Sequence, residues 1–356
     1  MRCIREIIMK KEKLHFETDN DFTGANWNKV DDDYTQHFYE QNLSQFWRPE
    51  DISLQPDLNV WNILPENIKD AYAKNLMVLT FLDTYQGDIG MPVVSRAITD
   101  DKHQQKAVLN FMAAMENAVH AKSYSNIFMT YMTTPEIDEL FVWGENHPNL
   151  RRIMNLIVGA YEALDRQNYY RKYKHEDYTP ELFELTKWQA MVASVFLETW
   201  LFYSGFYYPL YFYGQGKLMQ AGEIINLILR DESVHGLYVG RLAQDIFDKF
   251  PKSVQEEQEA WMTKFLLTLF NEQYGLISSM YDQVGLTDDV IRFVKYNANK
   301  ALMNLGFDPH FPNEPVNPVV LNGLNTETKT HDYFSMKGTG YQKMVTEAIS
   351  DDDFEF

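Results

Sequence analysis

Cysteine is almost absent from this chain: one in 356 residues, Cys3. A single thiol near the start forms no internal disulfide, so a disulfide scaffold is excluded and a reducing cytoplasm is the expected compartment. Basic residues are also few. Against 51 Asp and Glu stand 32 Lys and Arg, a formal charge of -19. No Lys/Arg cluster occurs, which argues against a nucleic-acid partner, since phosphate binding depends on concentrated positive charge. Long apolar runs are missing too. The longest apolar-aromatic stretch, Trp200 to Tyr213, falls short of the about 20 residues that a bilayer requires. Gly205 and Pro209 interrupt it and Glu198 lies just upstream, so it reads as a buried helix and no membrane insertion is expected. Residues Met1 to Asp21 lack the apolar core and cleavage site of a secretory signal. Alternating strand-like runs are scarce as well.

What remains is helix-period sequence, with 45% hydrophobic residues to build a large core. After a polar leader (1–25) and a segment from Asn26 to Asp57 rich in aromatics and turns, a first long helix is predicted from Pro65 to Ser95. A second runs from His103 to Thr130, stopping before Thr133-Thr134-Pro135, and a third from Asn149 to Tyr170. A fourth spans Glu181 to Phe212 and stops at Gly214-Gln215-Gly216. A fifth covers Leu218 to Phe250, ended by Pro251, and further helix follows from Val254 to Leu305. Pro309, Pro312, Pro315 and Pro318 then forbid regular helix, so 306–356 reads as an extended tail ending in Asp351-Asp352-Asp353-Phe354-Glu355-Phe356. The expected organisation is a leader, one all-α body over 26–305 and this tail.

Two helical segments each hold a carboxylate and an imidazole about one turn apart: Glu116-Asn117-Ala118-Val119-His120 and Glu232-Ser233-Val234-His235. The apolar run Ile224-Ile225-Asn226-Leu227-Ile228-Leu229 before the second pair implies burial, and buried charge without a partner is costly. Two further helices carry lone acids in apolar sequence, Asp83 and Glu198. Alone, Asp83 fits a cap or a hydrogen-bonded buried acid equally well. Together the six are the ligand count of ferritin-like dinuclear carboxylate proteins, in which facing helices of a bundle project them inward. Four carboxylates with one imidazole per ion suit iron or manganese, and differ from the thiolate or multi-histidine sets of structural zinc. Tyr124 lies one turn beyond His120, so a redox-active phenol would sit beside the ions.

These residues resemble the small, radical-generating subunit of class I ribonucleotide reductase, specifically the class Ib type, over nearly the whole chain from Asn26 to Phe356. The resemblance is carried by Val119-His120-Ala121-Lys122-Ser123-Tyr124-Ser125, by Phe196-Leu197-Glu198 through Phe202-Tyr203-Ser204-Gly205-Phe206-Tyr207, and by Arg230-Asp231-Glu232-Ser233-Val234-His235-Gly236. Lys295-Tyr296-Asn297-Ala298-Asn299-Lys300-Ala301 supports them. It implies that Asp83, Glu116, His120, Glu198, Glu232 and His235 bind two metal ions per chain, manganese or iron, and that Tyr124 stores a radical behind an apolar wall of Phe202, Phe206 and Ile228. It also implies a radical-transfer route through Trp47 and Asp231, with Tyr341 handing the radical on. The implied partners are a second copy of the chain in a homodimer, a large catalytic subunit gripped by the tail around Asp351 to Phe356, and a flavodoxin-like activase that delivers superoxide when manganese is used.

One departure stands out. The family spaces its first pair Glu-x-x-His, whereas three residues separate Glu116 from His120, and Asn117 occupies the expected glutamate register. At about 100° per residue an i,i+4 pair still shares a helix face, or the extra residue is absorbed as a π-bulge. Glu116 is the expected ligand because a carboxylate neutralises cations where an amide does not. An inward Asn117 would instead point to a metal-free variant with a modified Tyr124. Two other readings use the same scaffold: a dinuclear oxidase or monooxygenase with an organic substrate, and metal storage in a ferritin-type cage. The single cysteine favours the subunit reading, since ribonucleotide reduction needs a thiyl radical and a reducing cysteine pair that another chain must supply.

Overall fold

The computed structural model describes residues 23–324, and no strand occurs among them. Four long helices dominate. The first ligand-bearing helix, α2, runs Glu66–Tyr85, passes through a π-helical turn at Gln86–Gly90 and continues as Met91–Ala97. The next, α3, runs His103–Met115, a π turn at Glu116–Ala121, then Lys122–Tyr131. Helix α6 runs Pro180–Phe196, a π turn at Leu197–Leu201, then Tyr203–Tyr213. Helix α7, Met219–Phe247, is unbroken. Their ends follow local chemistry. Pro65 precedes α2 and Pro180 opens α6, positions where a missing N–H costs nothing. Leu218 turns through φ 47 to start α7, and Pro251 follows its end.

Apart from a single helical turn at Leu58–Trp61, the remaining α-helices wrap this core: α1 (Asp33–Ser44), α4 (Thr134–Asn146), α5 (Pro148–Tyr173), α8 (Lys252–Tyr281), α9 (Thr287–Asn304) and α10 (Pro318–Gly323). Helix α5 packs on α6, α6 on α7, and α9 against the π turn of α6. The apolar faces meet in one hydrophobic core that includes Tyr124, Phe202, Phe206 and Ile228.

Four stretches depart from the sequence expectation. Helix α1 occupies the segment expected to be turns. Its N-cap Asp32 accepts from the Thr35 N–H, the satisfied-donor arrangement that starts a helix. Helix α4 begins where the second helix was expected merely to stop: Thr133 and Glu136 form a reciprocal capping box, with Thr133 N donating to Glu136 Oε2 at 2.7 Å. The stretch from Val254 to Leu305 is two helices, separated at Gly285, whose φ of 70 favours glycine. The proline-rich segment also carries a short helix, α10, with Pro318 in its first turn and Asn317 capping the Val319 N–H. Most of the leader and everything after residue 324, including Cys3, Tyr341 and Asp351 to Phe356, lie outside the described residues.

Candidate metal centre

Asp83 comes from α2, Glu116 and His120 from α3, Glu198 from α6, and Glu232 and His235 from α7. The structure brings all six together in two overlapping groups, Asp83, Glu116, His120 and Glu232, and then Glu116, Glu198, Glu232 and His235. Within each group one candidate ligand atom per residue lies within 4.8 Å of the others. Glu116 and Glu232 belong to both groups, the placement expected of carboxylates shared by two neighbouring ions. Every member is essentially inaccessible to solvent.

The π turns contribute to this convergence. Within Glu116–Ala121 the wider i→i+5 winding accommodates the extra residue between Glu116 and His120, so both side chains enter the cluster. Asn117 faces elsewhere: its Nδ2 donates to Asp88 Oδ1 at 2.6 Å, beside Gly87. Glu198 sits in the α6 π turn, where Phe202 N donates to Leu197 O at 3.2 Å across five residues. Asp83 lies one turn before the π turn of α2.

Each histidine presents Nδ1 to three carboxylates. His120 Nδ1 lies 3.1 Å from Glu116 Oε2, 3.0 Å from Glu232 Oε1 and 3.8 Å from Asp83 Oδ1. His235 Nδ1 lies 3.0 Å from Glu116 Oε1, 3.2 Å from Glu232 Oε2 and 3.8 Å from Glu198 Oε2. On its other side, His120 Nε2 lies 3.3 Å from Asp231 Oδ2. A carboxylate there favours a proton on Nε2, so that Nδ1 is the nitrogen a metal ion would engage, as partners of metal-bound histidines do.

The electrostatics of the site call for cations. Burial pushes the Asp83 and Glu232 carboxyls well above the usual carboxylate range, and the neighbouring Glu116 charge adds to this. Burial alone would pull both imidazoles down. The surrounding carboxylates, Glu232 and Glu116 at His120 and Glu116 foremost at His235, outweigh it and hold them well above the ordinary histidine value. Both oxygens of Asp83 and one each of Glu116, Glu198 and Glu232 are buried without a hydrogen bond. Buried polar atoms left unsatisfied are rare in proteins and costly. Four carboxylates match the charge of two divalent cations, and an oxygen-rich set with one nitrogen per ion suits manganese or iron. The donor set therefore fits a dinuclear metal site.

Tyr124, one turn past His120, is fully buried and its hydroxyl has no hydrogen-bond partner. Burial raises its pKa well above that of a free phenol, and the Asp83 and Glu232 charges reinforce the shift. Phe202, Phe206 and Ile228 are equally inaccessible. Trp47 Nε1 donates to Asp231 Oδ2 at 2.7 Å, and the Trp47 and His120 rings lie 6.4 Å apart, nearly parallel. Sequence reasoning missed Gln86, Tyr161 and Ser194, which surround Glu198. Gln86 donates through Nε2 to Glu198 Oε1 and, at 2.9 Å, to Ser194 Oγ, and it accepts from the Tyr161 hydroxyl at 2.6 Å. The available signal was a glutamine one turn after Asp83 inside apolar helix, flanked by Gly87 and Gly90.

Comparison with known proteins agrees with this site. Residues 24–318 match the ribonucleotide reductase small chain family. A ribonucleoside-diphosphate reductase subunit beta from Bacillus subtilis is 55% identical over 339 residues, covering 94% of this chain and 97% of the relative. The subunit beta of ribonucleoside-diphosphate reductase 2 from Escherichia coli is 36% identical, covering 94% and 98%. Among solved structures, a dimanganese(II) NrdF from Streptococcus sanguinis superposes with a TM-score of 0.76 at 40% identity, over 85% of this chain and all of that one. This chain belongs to the ribonucleotide reductase small chain family, in its class Ib, NrdF-type branch. It is accordingly a helical, ferritin-like subunit of a ribonucleoside-diphosphate reductase, working with a large subunit. No helix among the described residues is long and apolar enough to cross a membrane.

Proposed function

We propose that Asp83, Glu116, His120, Glu198, Glu232 and His235 hold two manganese or iron ions per chain, and that this centre serves to oxidise Tyr124 to a stored phenoxyl radical. The observation that carries the reading is the convergence of six buried donors, five of their oxygens unsatisfied, beside a buried phenol with no hydrogen-bond partner. When bound, the ions would supply, together with an oxygen-species co-oxidant such as dioxygen or superoxide, the oxidising power that no amino-acid side chain has. Everything else falls to the polypeptide. Helices α2, α3, α6 and α7 fix the donors, and the aromatic-aliphatic core around Tyr124 excludes water and reductants from the radical.

Radical export follows from the contacts of His120. Its Nε2 faces Asp231, which accepts from Trp47, so His120, Asp231 and Trp47 form a hydrogen-bonded line leading away from the cluster. Tyr341 then passes the radical to the large subunit, which the tail around Asp351 to Phe356 grips. The single cysteine supports this division of labour, because thiyl chemistry on the ribonucleotide needs thiols that this chain does not carry. Manganese is favoured by the dimanganese(II) state of the Streptococcus sanguinis relative. A manganese centre implies a flavodoxin-like activase that delivers superoxide. Homodimer assembly and a cytoplasmic location complete the proposal.

The test is an electron paramagnetic resonance spectrum of protein loaded separately with iron and manganese, alongside metal content. The reading expects two ions per chain and, after activation, an organic radical signal with at least one of the two metals. Fewer than two ions bound per chain with either metal would refute it.

A further inference from the structure

Glu198 is held by a pair of residues that belong to neither the ligand set nor the radical route. Gln86, in the π turn of α2, and Tyr161, midway along α5, are both wholly buried. Both N–H groups of the Gln86 amide are engaged, and its oxygen accepts a bond as well. One N–H goes to Glu198 Oε1, the other to Ser194 Oγ, and its oxygen accepts from Tyr161. Chemistry fixes which end of the amide points where. A carboxylate only accepts, so an inverted amide would set its oxygen against Glu198 Oε1. Glu198 therefore sets the orientation, and Tyr161, by donating to the amide oxygen, reinforces it.

The packing leaves this arrangement no slack. A Cβ at Gly90 would collide with Gln86 Oε1 and come within 2.8 Å of the Tyr161 ring. The two sides of the Glu198 carboxylate thus differ: Oε1 is occupied by the amide, while Oε2 has no hydrogen bond and lies 3.8 Å from His235 Nδ1.

From this geometry we infer that Tyr161 and Gln86 are a positioning pair, which withholds one oxygen of Glu198 from the metal centre and presents the other to the ion beside His235. The inference rests on the dinuclear reading above. A carboxylate pinned through one oxygen contributes a single donor atom, leaving that ion room for a small oxygen-donor ligand. Without the pair, Glu198 is free to turn both oxygens toward the ion, changing its donor count and its coupling to the neighbouring ion.

The test uses the full chain loaded with manganese(II) without oxidant, as wild type, Tyr161→Phe and Gln86→Met. Three quantities are measured: manganese bound per chain, manganese affinity, and the low-temperature paramagnetic resonance spectrum of the coupled ion pair. The expected result is two ions bound in every protein, with an altered pair spectrum in both variants. Manganese affinity should fall roughly 10-fold, the lower end of what partners of metal ligands contribute. An unchanged spectrum and affinity in Tyr161→Phe, even with a lower melting temperature, would reduce the pair to packing and overturn the inference. Tyr161→Phe decides alone if Gln86→Met does not fold, because it removes one hydroxyl and keeps the ring. Wild-type protein that bound fewer than two ions would instead overturn the dinuclear reading, and the positioning role with it.

Discussion

Trp47 and Asp231 are joined by a 2.7 Å hydrogen bond between residues 184 positions apart in sequence, with the indole N–H donating to the carboxylate. The same oxygen lies 3.3 Å from His120 Nε2, so one carboxylate ties a peripheral segment to the metal cluster. On the proposed route, Asp231 carries both the electronic contact and the proton balance. Asp231→Asn keeps an oxygen to accept from Trp47 but removes the charge that His120 faces. Trp47→Phe keeps the packing and removes the donor. Both variants should bind two ions and develop the Tyr124 radical. Turnover with the large subunit should fall to background in Trp47→Phe and by about 10-fold or more in Asp231→Asn. Radical quantified by paramagnetic resonance beside a deoxynucleotide assay checks this; full turnover in Trp47→Phe would remove it from the route.

Tyr124 differs from Tyr131, two turns further along α3, in its surroundings. The Tyr131 hydroxyl donates to Asp57 Oδ2 at 2.8 Å, whereas that of Tyr124 has no partner. A phenol in a dry pocket, close enough to the Asp83 carboxylate to feel its charge but not fully hydrogen-bonded to it, is suited to storage over relay. Tyr124→Phe loses one buried hydroxyl with no hydrogen bond to break. Its stability should therefore change by less than about 1 kcal/mol, it should bind metal normally, and it should show no organic radical after activation. Thermal melting and paramagnetic resonance on the same sample give the answer, and a full-intensity radical would move the storage site elsewhere.

The parts of the fold legible in the sequence were those where burial and period coincide. The four ligand helices were bounded within three residues because apolar periodicity spans them and proline or glycine closes most ends. Helices α1 and α4 were missed because their start signals are local side-chain caps, at Asp32 and Thr133, while Pro135 beside the latter reads equally as a stop. The six cluster residues could be read as donor types on separate helices, but their registers could not. Whether Glu116 or Asn117 turns inward depends on a π turn, a backbone choice that side-chain spacing does not determine. Gln86 was invisible for a related reason: its role comes from Tyr161 and Glu198, each far away in sequence.

That register makes a sharp contrast between adjacent residues. Glu116 is in contact with both His120 and His235, while Asn117 reaches out to Asp88. Glu116→Gln replaces a carboxylate common to both ligand groups by a neutral amide and should lower the affinity for the ion pair at least 10-fold, with fewer than two ions retained. Asn117→Ala loses one partly exposed hydrogen bond, costing about 0.5–1.5 kcal/mol of stability, and should keep both ions. Metal content after dialysis separates the two. The reverse pattern, Asn117→Ala losing metal while Glu116→Gln keeps it, would place the amide at the centre.

The tail gives the final prediction. The described chain ends on a well-anchored helix: Asn226 Nδ2 donates to Gly323 O at 2.9 Å, and a Cβ at either Gly214 or Gly323 would strike neighbouring backbone, so α10 lies directly against α6. A truncation that removes residues from Asn325 onward leaves all of these contacts in place. The shortened protein should melt within about 2 °C of full length, a shift that corresponds to roughly 1.5 kcal/mol in a chain of this size. It should bind two ions and form the Tyr124 radical at full yield. Lacking Tyr341 and the acidic-aromatic end, it should show no turnover with the large subunit and no binding to it in a pull-down of the two purified chains. Turnover retained by the truncated protein would take both docking and the last radical step away from the tail.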